Sequence, residues 1–179
     1  QAPPQVLVQL QRKIFRSVLK VIEGQSQEFL LQEKAKSALP QWGDYEAMTE
    51  GKTSALLGIP VGGALFCAGI DPGLCPAFED AAAKLGVLFQ IQDDILDIYG
   101  NKGRDRPASD IYEGKMSALA VDFFESPANA GEKHRVLEIL RQPRAQTNES
   151  MVNEVLALFA RYEILQRCQV SLALFDHSL

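Results

Sequence analysis

The chain has 179 residues, 46% hydrophobic and 23% charged, enough apolar surface for one globular core and against a disordered chain. A formal net charge of −5 gives no electrostatic case for nucleic-acid binding, which calls for a basic face, so an anionic ligand here needs local positive charge or metal ions. Cys67, Cys75 and Cys168 lack metal-ligand spacing and His134 and His177 lie far from them, so the cysteines read as reduced thiols of a cytoplasmic protein without a zinc site.

Apolar residues recur at helical spacing from Val6 to about Lys36 (Val6, Leu10, Ile14, Val18, Ile22, Phe29, Leu30), which predicts one long helix. Asp44 is a candidate N-cap for a helix over 45–57, and Gly58, Pro60, Gly62 and Gly63 predict a bend before 64–68. GIDPGLCP (69–76) reads as a turn, 78–99 as a helix and GNKGRDRPAS (100–109) as a polar loop. Asp110 is expected to cap a helix to about Glu125, followed by helices over 134–140 and 149–175. Strand and hairpin signals are nearly absent and no linker divides the chain, so the expectation is one all-α domain over 1–179. No apolar run approaches the roughly 18 residues of a membrane span. The start, QAPPQ, has neither an initiator methionine nor a leader pattern and is expected to come from processing or trimming.

EGKTSALL (50–57) and EGKMSALA (113–120) echo one another near the starts of predicted helices. A duplication would place acids before the first copy as DDILD precedes the second, but the matching window around 30–34 holds only Glu33, so the echo reads as local.

The run QIQDDILDIYG (90–100) sets Asp93, Asp94 and Asp97, with Gln90, on one stripe of a helix that is apolar on its other faces. Two unit charges about 4 Å apart repel by around 4 kcal/mol at an effective dielectric near 20, so clustered acids call for cations. Carboxylates around an open space suit Mg²⁺, which takes one or two of them and completes its shell with water and phosphate oxygens. A solvated acidic stripe is the competing reading. Apolar flanks and the cations Lys52, Lys102, Arg104, Arg106 and Lys115, which together would clamp a diphosphate, weigh against it.

FQIQDDILDIYGNKGR followed by SDIYEGKMSAL resembles the second aspartate-rich region of the trans-isoprenyl diphosphate synthases, the polyprenyl synthetases that include farnesyl and geranylgeranyl diphosphate synthases. GQSQE (24–28) is similar to that family's Gly-Gln helix, and YEAMTEGKTSALLGIPVGGALFCAG (45–69) to its Lys-Thr helix. The resemblance covers roughly residues 15–125. It implies an isoprenoid-synthase-type helical bundle around a central cavity, Mg²⁺ held by Asp93 and Asp97 with Asp94 in support, and an allylic prenyl diphosphate bound by Lys52, Lys115 and Arg106 or Arg104, with Gln25 on the substrate side. Thr53, Phe89 and Gln90 would face the reacting carbons, Lys52, Thr53 and Gln90 serving the chemistry.

The implied reaction is prenyl transfer: metal-assisted loss of diphosphate, attack by the double bond of isopentenyl diphosphate, then loss of a proton. A homodimer is implied as well. The family's first aspartate-rich motif, its neighbouring basic residues and its N-terminal helices are missing from the chain; Glu28 stands where an Asp is usual, and RDRPAS replaces a more glycine-rich approach to Asp110. The chain alone is therefore expected to bind a diphosphate rather than elongate it. The alternative reading is a non-catalytic helical subunit of a heteromeric synthase, against which the intact Lys52, Asp93, Asp97 and Lys115 argue. A terpene cyclase is disfavoured, since its second acidic site is expected to be an Asn/Ser/Glu triad.

Overall fold

Pro4 opens the long first helix, α1 (Pro4–Lys34), where its fixed φ and missing N–H cost nothing. The computed structural model describes residues 4–35, 37–70, 75–100 and 107–176, and every regular element among them is helical, as the sequence predicts. α2 (Trp42–Thr49) passes into a π-helical turn (Glu50–Ser54) and on into α3 (Ala55–Cys67). α4 is Cys75–Tyr99, and α5 (Ser109–Tyr112), α6 (Ala118–Glu125), α7 (Ala130–Leu140), α8 (Glu149–Arg161) and α9 (Ile164–Asp176) complete the order.

Several boundaries differ from the sequence reading, each for a local reason. The expected interruption around Pro60 does not end the helix: α3 runs through it, and of the glycines there Gly62 lies against the Lys13 side chain of α1, where a Cβ would displace the end of that lysine. The helix expected from Asp110 to Glu125 breaks in two at Gly114 (φ +66), where a Cβ would lie 2.1 Å from the Leu140 carbonyl oxygen, and Ser117 restarts it by accepting the Ala120 N–H. The helix before His134 begins earlier because Asn129 and Glu132 form a reciprocal capping box. The final helix divides at Glu163, whose φ of +53 is left-handed. The two EGK copies take different conformations: the first is the π-helical turn, the second a break between helices.

Two compact units can be described: residues up to Gln27 with Glu46–Gln90, and Glu28–Tyr45 with Ile91–Ser178. In the first unit backbones approach closely: a Cβ on Gly86 would fall 2.4 Å from Ser54 Cα, and the Ser54 hydroxyl donates to the Ala83 carbonyl at 2.6 Å. A Lys13–Glu79 ion pair ties α1 to α4 within that unit. The second unit holds a conventional core, with Phe123 at its centre against Phe159, Phe124 and Tyr162 at centroid distances of 5.6, 6.0 and 5.9 Å. Among the described residues no helix is long and apolar enough to cross a membrane.

Cys168 lies fully buried on α9, and burial, reinforced by the nearby carboxylates of Asp122 and Asp94, pushes its thiol up to about 12 from an ordinary 9.0. Because the folded value is the higher one, the stability this thiol contributes is intact below pH 9 and lost as pH rises toward 12. Cys168→Ala should therefore flatten the alkaline part of the stability profile measured by urea unfolding. Iodoacetamide should label exposed Cys67 in the native protein and reach Cys168 only after unfolding; equal labelling would contradict this core placement.

Candidate functional site

The first unit assembles four of the sequence-predicted site residues and leaves a fifth exposed. Lys52 and Thr53 sit on the π-helical turn, whose wider winding is common at functional positions. Gly24 explains how α1 meets that turn: a Cβ there would lie 2.2 Å from the Lys52 nitrogen and 2.3 Å from the Gly51 carbonyl carbon, so only hydrogen permits the approach. Gln25, next along α1, is half-buried, as are Lys52, Thr53 and Gln90. The Thr53 hydroxyl donates to Gln90 Oε1 at 2.8 Å, turning two neutral dipoles toward each other. Phe89 stands exposed.

The second unit places the acids. Asp93 is half-buried, whereas Asp94 and Asp97 are only 5% and 3% exposed. Asp94 Oδ2 accepts from the Tyr45 hydroxyl at 2.9 Å and from the Ala118 N–H at 2.8 Å, the first amide of α6. Asp97 accepts the Ser109 hydroxyl at 2.6 Å on Oδ1 and the Asp110 N–H at 2.9 Å on Oδ2, both at the start of α5. The orphan amides of two helix starts thus find carboxylate acceptors. The stripe read from the sequence as lining one space divides into a half-buried Asp93 and two acids turned into protein.

Asp110 Oδ1 in turn receives the Lys115 ammonium at 2.7 Å, and Glu113 lies 3.3 Å from it. Burial works against the Lys115 charge, but the Asp110 hydrogen bond and the two acidic neighbours outweigh it and raise its pKa above the ordinary lysine value. Arg106, with Lys102 and Arg104, lies outside the described residues. Sequence reasoning missed Tyr45 and Ser109 as partners of the acids; each opens a stretch that carries the family resemblance, but nothing in the pattern pairs a hydroxyl there with an aspartate 49 or 12 residues away.

The family model for polyprenyl synthetases matches residues 5–159. The chain belongs to the polyprenyl synthetase family. It is 30% identical over 148 residues to a short chain isoprenyl diphosphate synthase of Methanothermobacter thermautotrophicus, an alignment covering 82% of this chain and 43% of that protein. A geranylgeranyl diphosphate synthase of Mycobacterium tuberculosis is 29% identical over 168 residues, 91% of this chain and 46% of its own length. The crystal structure of a geranylgeranyl pyrophosphate synthetase from Pyrococcus horikoshii superposes with a TM-score of 0.78 at 25% identity, covering 98% of this chain and 52% of the other. The chain thus spans about half the length of these polyprenyl synthetase relatives or less.

The resemblance implies Mg²⁺, and the donor set can be judged on its chemistry. Among the described residues no three His, Cys, Asp or Glu side chains converge as a closed metal cage. Asp94 and Asp97 are almost wholly buried, and Asp93 carries a hard carboxylate at a half-buried position. That set fits Mg²⁺, which is commonly held by one or two carboxylates with water and phosphate completing the shell.

The close approach at Gly24 makes a graded forecast. Gly24→Ala should destabilise the protein by about 1–3 kcal/mol, as overpacking typically does, because the atoms it meets are backbone. Gly51→Ala, whose Cβ would stand 2.9 Å from Gly24 Cα, should cost less. Urea unfolding showing equal or inverted costs would contradict the packing.

Proposed function

We propose that the protein acts in prenyl transfer, joining an allylic prenyl diphosphate to isopentenyl diphosphate with Mg²⁺ assistance. The observation that carries this reading is the acid helix of a polyprenyl synthetase with Asp93 half-buried beside two acids that fasten the starts of α5 and α6. Bound Mg²⁺ would supply neutralisation of the charge that develops on a departing diphosphate. Asp93 is the residue that would hold it.

The remaining work falls to this chain's own side chains. Lys115 brings an ammonium kept protonated by Asp110, a point charge for a diphosphate oxygen. Lys52 has the same role on the π-helical turn. Thr53 and Gln90 present neutral oxygens, which lower the energy of an allylic cation by their dipoles without forming a bond to it. No nucleophilic serine or cysteine is required, since the carbon–carbon bond forms from the π electrons of isopentenyl diphosphate, and the proton then lost passes to the departed diphosphate. In the second reading, a non-catalytic subunit, these groups would have no task.

Asp93→Ala should lower turnover by orders of magnitude while the circular dichroism spectrum stays helical; undiminished synthesis would end this assignment. Removing one of three neighbouring acids should also leave stability without Mg²⁺ equal or higher.

We further propose a homodimer. On the first-unit part of α1, Val8, Phe15 and Ile22 recur every seven residues and are 47%, 69% and 57% exposed, with Leu19 beside them, an apolar seam that calls for a cover. Sedimentation should show a dimer at micromolar concentration and Phe15→Glu should weaken it; monomer throughout would contradict the proposal.

A further inference from the structure

The hydroxyls that hold the acid motif from behind, those of Tyr45 and Ser109, have no assigned role in prenyl transfer. Tyr45 is fully buried on α2, its ring 5.3 Å from that of Trp42 and its hydroxyl on Asp94, which takes the first amide of α6. One turn earlier, the Trp42 N–H donates to Glu125 Oε1 at 2.7 Å, at the last residue of α6. The first turn of α2 therefore holds α6 at both ends, and the Asp94 carboxylate is the link at the end nearer the motif.

Ser109 makes the matching link for α5. Its hydroxyl and the Asp110 N–H occupy the two oxygens of Asp97, while the Asp97 carbonyl takes the Ala108 N–H at 2.8 Å. Ala108 takes a left-handed backbone in this arrangement (φ +58), a conformation that is strained for a residue with a Cβ. The strain persists because Asp97 anchors the loop at three points. Beyond it Asp110 presents its carboxylate to Lys115, so the chain of contacts runs Ser109, Asp97, Asp110, Lys115.

We propose that Tyr45 and Ser109 are positioning residues for diphosphate binding: through Asp94 and Asp97 they fix the starts of α6 and α5, and thereby the segment that carries Lys115, against the helix bearing Asp93. This rests on the function proposed above. Each hydroxyl can be removed with little change of volume. Without the Tyr45 hydroxyl, Asp94 loses the donor that orients it on the Ala118 amide. Without the Ser109 hydroxyl, the strained turn at Ala108 loses one of three anchors and relaxes, moving Asp110 and its lysine.

The test is binding of inorganic pyrophosphate with Mg²⁺, read by calorimetry on the protein and on its Tyr45→Phe, Ser109→Ala and Ser109→Thr forms, beside their melting temperatures without ligand. Tyr45→Phe and Ser109→Ala should each weaken binding about tenfold, the lower end of what losing a group behind a metal ligand costs, and Ser109→Thr, which keeps the hydroxyl, should recover most of it. Should Tyr45→Phe not fold, the serine pair decides. Variants that melt lower yet bind as tightly as the unmodified protein would overturn the inference and leave the hydroxyls purely structural. No pyrophosphate binding by the unmodified protein would overturn the proposed function, and this inference with it.

Discussion

Two carboxylates inside an apolar helix impose the constraint that the second unit is arranged around. Asp94 and Asp97 are almost wholly removed from water, and a polar group so placed costs several kcal/mol unless hydrogen bonds replace the lost hydration. The structure answers with the amides that are hardest to satisfy elsewhere, those at the starts of α5 and α6. Each deficit offsets the other, and the acid helix thereby fixes where two later helices begin.

The same constraint explains what was legible in the sequence. Helical period alone put Asp93, Asp94 and Asp97 on one stripe and predicted an all-α chain, because period reports which residues share a face. It does not report what that face meets. Asp94 and Asp97 therefore read as lining an open space when they meet helix starts more than ten residues away in sequence. The helix predicted over 110–125 failed for a related reason: its apolar pattern continues, but Gly114 must turn left-handed beneath the Leu140 carbonyl, a contact with a residue on α7. The break at Glu163 had no local signal at all, glutamate being uncommon at positive φ.

The EGK echo sharpens the point. Lys52 and Lys115 share the same flanks, yet Gly51 lies in a π-helical turn against Gly24, and Gly114 in a left-handed break against Leu140. In both copies glycine is needed because a backbone passes too close for a Cβ. Sequence reading detected the glycine and its lysine; the conformation of each was settled by a different neighbour.

The donors that hold Asp94 and Asp97 here are a phenol, an alcohol and two peptide amides. Each of these four is itself neutral, so the bond it makes fixes the position of a carboxylate oxygen without adding a charge of its own. A bidentate arginine in one of these places would hold the carboxylate as firmly and bring about one unit of opposite charge with it. The phenol and the alcohol can moreover be removed singly, whereas the two amides belong to the helix starts and go wherever α5 and α6 go, so the acids and the helices they fasten have to be placed together.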